Sequence, residues 1–170
     1  MLRYEQHLAA AAAHDPSKTA IIQAGVRTSY ATLDAAADRF ADALVERVAF
    51  ANGERCVLFL ENRVETAVGI FGTLRAGGIF SVVNPTTKTD KLAFVLNNCE
   101  ASVLFVSSVA QWESISATGV AFPALRAVIV TEAGVEPAQP APSQGGPIVG
   151  SLTQWLAGAA EAGAAPASEA

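Results

Sequence analysis

Hydrophobic residues recur along this chain in two rhythms, and the change of rhythm divides it. After Ser29, residues Leu33, Ala37, Phe40 and Leu44 fall at i, i+4, i+7 and i+11, with Asp34, Asp38 and Asp42 on another side. That spacing predicts an amphipathic helix. Ser29 stands at the N-cap position, although Thr32 occupies the place of the Glu that completes a capping box. Ahead of it, residues 4–13 predict a helix stopped at Asp15-Pro16. TAIIQ (19–23) and VRTS (26–29), joined at Ala24-Gly25, predict a small hairpin in which Gly25 supplies positive φ.

From Arg55 onward the apolar residues come as short continuous runs: RCVLFL (55–60), IFSVV (79–83), SVLFV (102–106) and RAVIV (126–130). Unbroken runs of this length mark strands covered on both faces. Helical segments separate them. The first, 63–76, is apolar almost all round and has Asn62 and Glu65 as its expected cap pair. Its Gly69 and Gly72 weaken it by about 1 kcal/mol each relative to Ala, which makes sense where a helix must lie close against another element. Gly77 is its expected C′ residue. Thr87 and Asp90 are the expected caps of the second, whose Leu92, Val95, Leu96 and Cys99 share one side. Residues 109–116 form the third.

Strand and helix alternating at this spacing imply right-handed βαβ crossovers. The expected fold class is α/β: a largely parallel βαβ sheet with helices on both faces, preceded by an N-terminal helix and a small hairpin. This unit spans 1–131. Residues 132–150 hold four prolines and four glycines and are expected to be a linker. Residues 151–160 predict a terminal helix anchored by Trp155 and Leu156, and 161–170 a disordered tail.

Composition narrows the classes of function. Of 170 residues, 51% are hydrophobic and only 16% charged, a lean surface that leaves room for an uncovered apolar face. The net charge of −5 gives no basic footprint for nucleic acid or an anionic membrane. Cys56 and Cys99 lie far apart within apolar runs, as expected of buried free thiols in a cytoplasmic protein. The alanine run near the N-terminus imitates a signal peptide, but Glu5, Gln6 and His7 interrupt it and fit an ordinary helix. No run approaches the ~20 apolar residues of a membrane span.

Little in the chain points to a self-contained active site. His7 and His14 have no carboxylate or thiol arranged with them for a metal. There is no GxSxG, and no GxGxxG after a strand. GTLRAGG (72–78) leads from helix into strand, the reverse of a phosphate loop. Asp34, Asp38 and Asp42 fit a solvated helix side. No catalytic or metal-binding residue is assigned. One loop stands apart: Asn84, Pro85, Thr86, Thr87 and Lys88 sit just beyond the carboxyl end of a strand, where ligands of open parallel sheets collect. The alternative, that its threonines only cap the next helix, stays open on spacing alone.

Three segments together resemble a known family. TSYATL (28–33), GERCVLFLENRVE (53–65) and LRAGGIFSVVNPTTKTDKLAFVLNNCEASVLF (74–105) are similar, in order and spacing, to the amino-terminal part of the adenylate-forming (AMP-binding) superfamily. Its members include acyl-CoA synthetases, luciferases and peptide-synthetase adenylation domains. The likeness covers about residues 15–131, and Asn84-Pro85-Thr86 is more like the acid–CoA ligases than the amino-acid-activating relatives. Three positions depart from the family pattern: Val82-Val83 where Pro-Leu is usual, Thr32 for Glu, and Arg47 where a helix-ending Gly is frequent.

The resemblance implies a two-step reaction, in which a carboxylic acid and ATP give an acyl-adenylate and the acyl group then passes to a thiol, usually coenzyme A. ATP, Mg and coenzyme A would serve the complete enzyme. The resemblance also implies that Asn84 to Lys88 form a wall of the thiol-substrate cleft, without catalytic duty. The family's phosphate loop ending in Pro-Lys-Gly, its ribose-binding acid and its catalytic Lys do not occur among these 170 residues. The chain is therefore expected to be inactive alone, with the remaining part of the ligase, or a partner chain supplying it, as its partner. A homodimer or a non-catalytic binding module using an exposed apolar face is the alternative. A flavodoxin-like nucleotide binder would need a phosphate loop where LENR (60–63) stands. The kinship requires the four β-segments to be parallel, with Val82 and Val83 turned from water.

Overall fold

The computed structural model describes residues 3–132 and 146–162. Helix α1 (Gln6–His14) leads into the hairpin β1 (Thr19–Gln23) and β2 (Val26–Ser29), and then into the long helix α2 (Tyr30–Val48). The hairpin closes through Ala24 and Gly25, both at positive φ (48° and 82°), as a two-residue loop between right-twisted strands requires. Ser29 caps α2, its Oγ accepting from the Thr32 amide at 3.2 Å.

Strands β3 (Arg55–Phe59), β4 (Ile79–Val82), β5 (Val103–Val106), β6 (Ala127–Val130) and β7 (Ile148–Ser151) build one parallel sheet in the order β4-β3-β5-β6-β7. Helices α3 (Val64–Arg75), α4 (Thr89–Asn98), α5 (Val109–Ser116) and α6 (Leu152–Ala162) complete the chain. Side chains alternate across the strands. Cys56, Leu58, Val103, Phe105, Ala127 and Ile129 enter one core with α2, α3 and α6. Val57, Phe59, Leu104, Val106, Val128 and Val130 enter a second core under α4 and α5. The middle of the sheet is thus covered on both faces, as the runs at 55–60, 102–106 and 126–130 predict, whereas β4, from the run at 79–83, is exposed at both of its ends.

Two glycines of α3 set the depth of the first core. A Cβ on Gly69 would lie 2.8 Å from Leu58 Cδ2, and one on Gly72 2.6 Å from the Phe40 ring and 2.9 Å from the Ala37 carbonyl. The helix ends in a Schellman motif: Gly78 N–H donates to Thr73 O (2.9 Å), Gly77 N–H to Leu74 O (3.0 Å), and Gly77 is left-handed at φ 78°.

Several expectations are corrected. Asn62 does not cap α3. The Val64 amide instead donates to Gln23 Oε1 of β1 at 2.7 Å, a partner 41 residues away. Helix α4 begins after Lys88 with no side-chain cap, so Thr87 is not its cap. Asp34 and Asp38 are not merely solvated, because both accept from the Arg75 guanidinium, which is only 12% exposed. Cys56 is fully buried, and burial pushes its thiol up to about 12, but Cys99 is only half-buried. Strand β7 occupies the last residues of the segment assigned to the linker, making the sheet five-stranded; residues 133–145 and 163–170 lie outside the described residues.

The parallel direction holds, but Val82 does not face away from water. It is 51% exposed, while Val83 is half-buried against the second core. The reason is position: β4 is an edge strand, flanked by β3 on one side only, and the helices covering the middle of the sheet overhang it less.

Helix α2 runs through Arg47, where the resemblance leads one to expect a helix-ending glycine. It stops two residues later, at Ala49, held left-handed at φ 51°. Arg47 is occupied elsewhere: it donates to Gln154 O at 2.9 Å and lies 5.9 Å from the Trp155 ring centroid, tying α6 to α2. Arg126 closes the end of α2, donating to Val48 O (3.0 Å) and Ala49 O (3.4 Å) while pairing with both carboxylate oxygens of Glu54.

Two outcomes follow for stability. Gly72→Ala gains about 1 kcal/mol of helix propensity but forces α3 off Ala37 and Phe40, a strain of ~1–3 kcal/mol. The net effect is a lower urea midpoint, whereas an alanine at the unobstructed Gly119 loses only what its positive φ of 71° demands. Arg126, hydrogen-bonded to Glu54, holds that carboxyl below the usual glutamate range. Because the folded value is depressed, its contribution to stability is present above the ordinary glutamate pKa and is lost as pH falls through the folded one. Urea midpoints measured from about pH 6 down to about pH 3 should therefore fall more steeply for the natural chain than for Glu54→Gln.

Candidate functional site

Loops leaving the carboxyl ends of β3, β4 and β5 carry the polar residues of this face. In the order β4-β3-β5, the connections that leave β3 through α3 and β5 through α5 go to opposite faces of the sheet, so the switch point lies between β3 and β5. That crevice is laced shut. The Thr131 hydroxyl donates to Ser107 O (3.0 Å) and accepts from Arg63 Nη1 (3.1 Å), and Arg63 Nε reaches Glu65 (3.1 Å).

The open space lies one strand outward. A groove of about 570 Å³ runs between Leu60, Glu61 and Asn62 after β3 and Val82, Val83, Asn84 and Pro85 after β4. Asn84 and Pro85 are thus brought to it, while Thr86, Thr87 and Lys88 follow them on the same loop. Asn84 is the loop's organiser. Its Oδ1 accepts from the Thr86 amide (2.9 Å) and the Thr86 hydroxyl (2.8 Å), and its carbonyl accepts from the Thr87 amide (2.9 Å). This Asx turn, followed by a reverse turn, is what Asn before Pro favours. Lys88 is exposed and precedes α4.

The opposite wall is equally fixed. Thr66 Oγ1 donates to Glu61 O at 2.6 Å, and Gln23 holds the start of α3. Asn62 and Arg63 also line a second groove, of about 540 Å³, with Ile21, Ile22, Gln23 and Ile70. The segment Glu61–Arg63 therefore forms a rib between two grooves. Sequence inspection did not single out this rib. Its signal is faint: polar residues just past a buried strand, with no spacing rule attached.

The donor set decides what this region can do. Two amide residues, Asn62 and Asn84, line the groove, and with Thr86, Thr87 and Lys88 on the adjoining loop they can orient a polar, uncharged or singly anionic group. They cannot clamp a triphosphate, and no group of three His, Cys, Asp or Glu side chains comes together to hold a metal among the described residues. No nucleophile–base pair lines the groove either. His7 and His14 are exposed on α1.

The family described as AMP-binding enzyme matches residues 8–163. Surfactin synthase subunit 2 of Bacillus subtilis (strain 168) is 30% identical over 93 residues, covering 55% of this chain and 3% of that protein. A benzoate CoA ligase from Burkholderia xenovorans LB400 superposes with a TM-score of 0.71 at 24% identity, covering 100% of this chain and 30% of that one. The inhibitor-bound N-terminal domain of FACL13 from Mycobacterium tuberculosis superposes with a TM-score of 0.73 at 23% identity, covering 100% of this chain and 38% of that one. At these identities the structural likenesses show the fold. The chain spans well under half the length of each of these relatives.

Asn84→Ala should remove both side-chain hydrogen bonds to Thr86 and loosen the loop by about 1 kcal/mol. Amide exchange at Thr86 would rise about fivefold, with the sheet amides unchanged. Asn84→Asp, which keeps the accepting oxygen, should exchange as the natural chain does.

Proposed function

The chain belongs to the AMP-binding enzyme family, and on that premise we propose that it is the first α/β subdomain of an acyl-activating, adenylate-forming ligase. In the complete enzyme a carboxylic acid and ATP would give acyl-AMP and pyrophosphate, after which the acyl group passes to coenzyme A. The observation that supports this most is the family match over 8–163 taken with the groove beyond β3 and β4, walled by Asn84 and Pro85 where the resemblance expects a thiol-substrate cleft. In that role Asn84, by fixing the turn, and Pro85, by stiffening it, set the width of the cleft. Thr86, Thr87 and Lys88 offer hydroxyls and a positive charge at its mouth.

The residues present do not fit ATP or Mg, so no step of the phosphoryl chemistry is assigned to them. The Ser/Thr/Gly-rich loop ending in Pro-Lys-Gly, which would hold the triphosphate, is not among the 170 residues. On this proposal the isolated chain binds and shapes but does not adenylate, and it works with the polypeptide that carries that loop, in the cytoplasm. A second reading has one observation in its favour. The 30% identity to surfactin synthase subunit 2 fits an adenylation unit whose acyl acceptor is a carrier-protein thiol rather than coenzyme A.

Purified chain incubated with ATP, Mg and a panel of fatty, aryl and amino acids should release no pyrophosphate above the protein-free rate. Sustained, acid-dependent release would overturn the proposal. Chain isolated from its source should co-purify with polypeptide bearing a Pro-Lys-Gly loop. Recovery without any such polypeptide favours the non-catalytic binding module instead.

A further inference from the structure

Strand β4 is an outer strand of the sheet, and among the described residues nothing pairs with its free side. Ile79 and Val83 donate their amides inward, to Glu54 O (2.8 Å) and Leu58 O (2.9 Å). Amide direction alternates along a strand, so Phe80 and Val82 present their N–H and C=O groups outward. Edges of this kind are normally blunted by a Lys, a Pro or a bulge. From Ile79 to Val83 there is none: the sequence is Ile-Phe-Ser-Val-Val, β4 pairs with β3 in unbroken register, and Ile79 and Val82 are each more than half exposed.

We propose that this edge pairs with the same edge of a second copy of the chain, antiparallel and centred on Ser81, to form one continuous sheet through two molecules. The register follows from the hydrogen-bond directions. Only Phe80 and Val82 have free groups, so each must lie opposite the other's counterpart in the second copy and exchange two bonds with it. Ser81 then faces Ser81 across the two-fold axis, and Ile79 faces Val83. Both side-chain pairings are apolar and each stays on one face of the sheet, so the edge is complementary to itself, as a two-fold interface demands. No charged residue lies between Ile79 and Val83, so two chains of net charge −5 meet no like charges in register. A five-residue edge is small beside the ~1,200–2,000 Å² of stable interfaces. The dimer is therefore weak, concentration-dependent and favoured by salt that screens the net charge. None of this depends on the ligase assignment.

Sedimentation of the full chain at rising concentration tests it, together with a disulfide trap. Residues opposite each other without mutual hydrogen bonds in an antiparallel pair have Cα atoms about 4.5 Å apart, within the reach of a disulfide. Ser81→Cys should give a covalent dimer under mild oxidation, while Ser114→Cys, on the exposed side of α5, should not. Val82→Lys should leave the circular dichroism unchanged and weaken self-association at least tenfold. A chain that stays monomeric at every concentration overturns the proposal. So does a dimer that survives Val82→Lys, or trapping of Ser114→Cys as readily as Ser81→Cys. Capture of Ser81→Cys only in higher aggregates, without a discrete dimer, counts against it equally.

Discussion

The structure depends on how closely one helix can approach two neighbours at once. Helix α3 lies in the trough between α2 and the sheet, and it fits because Gly72 presents bare backbone to Phe40 and Ala37 while Gly69 does the same to Leu58 and Phe105. The depth of that seat fixes where α3 begins and ends. Its C-terminal Schellman turn delivers the chain into β4, and its N-terminus holds the rib Glu61–Arg63 that walls the groove. Two missing side chains, each unfavourable for an isolated helix, thereby position both walls of the candidate cleft.

Charged residues serve this architecture more than they serve chemistry. Arg75 joins α3 to Asp34 and Asp38 of α2. Arg55 donates to Cys99 O and pairs with Glu100 at the end of α4, and Arg126 does the same office for α2 with Glu54. Guanidinium groups suit the task because a planar fork with several donors can satisfy unpaired helix-end carbonyls and a carboxylate together. Seven charged side chains are engaged in this way, three arginines with four carboxylates.

Much of this was legible in the residues, and what was not shares a cause. Apolar runs at RCVLFL, SVLFV and RAVIV disclosed buried strands because burial on both faces leaves a local signature; Ala24-Gly25 disclosed the hairpin because turn geometry is local. The cap of α3 by Gln23 and the pairing of Arg75 with Asp34 were illegible, since each partner lies 41 residues away. The run IFSVV could not reveal that β4 is an edge, because strand order is a property of the whole sheet and not of its segments. Strand β7 was hidden by its composition: Gly and Pro surround four residues whose pairing with β6 decides their conformation. The loop Asn84–Lys88 could be located from its place after a strand, whereas the rib opposite it appears only once α3 is seated.

The clamp at the end of α2 has a bearing on how the protein is made. Arg126 follows the carbonyls it satisfies, at Val48 and Ala49, by 78 and 77 residues. A ribosome adding ~5–20 residues per second needs on the order of ten seconds to cover that interval. Throughout it the last turn of α2 has been synthesised but lacks the side chain that satisfies its terminal carbonyls. The C-terminal turn of α2 is thus completed by a residue that stands just before β6.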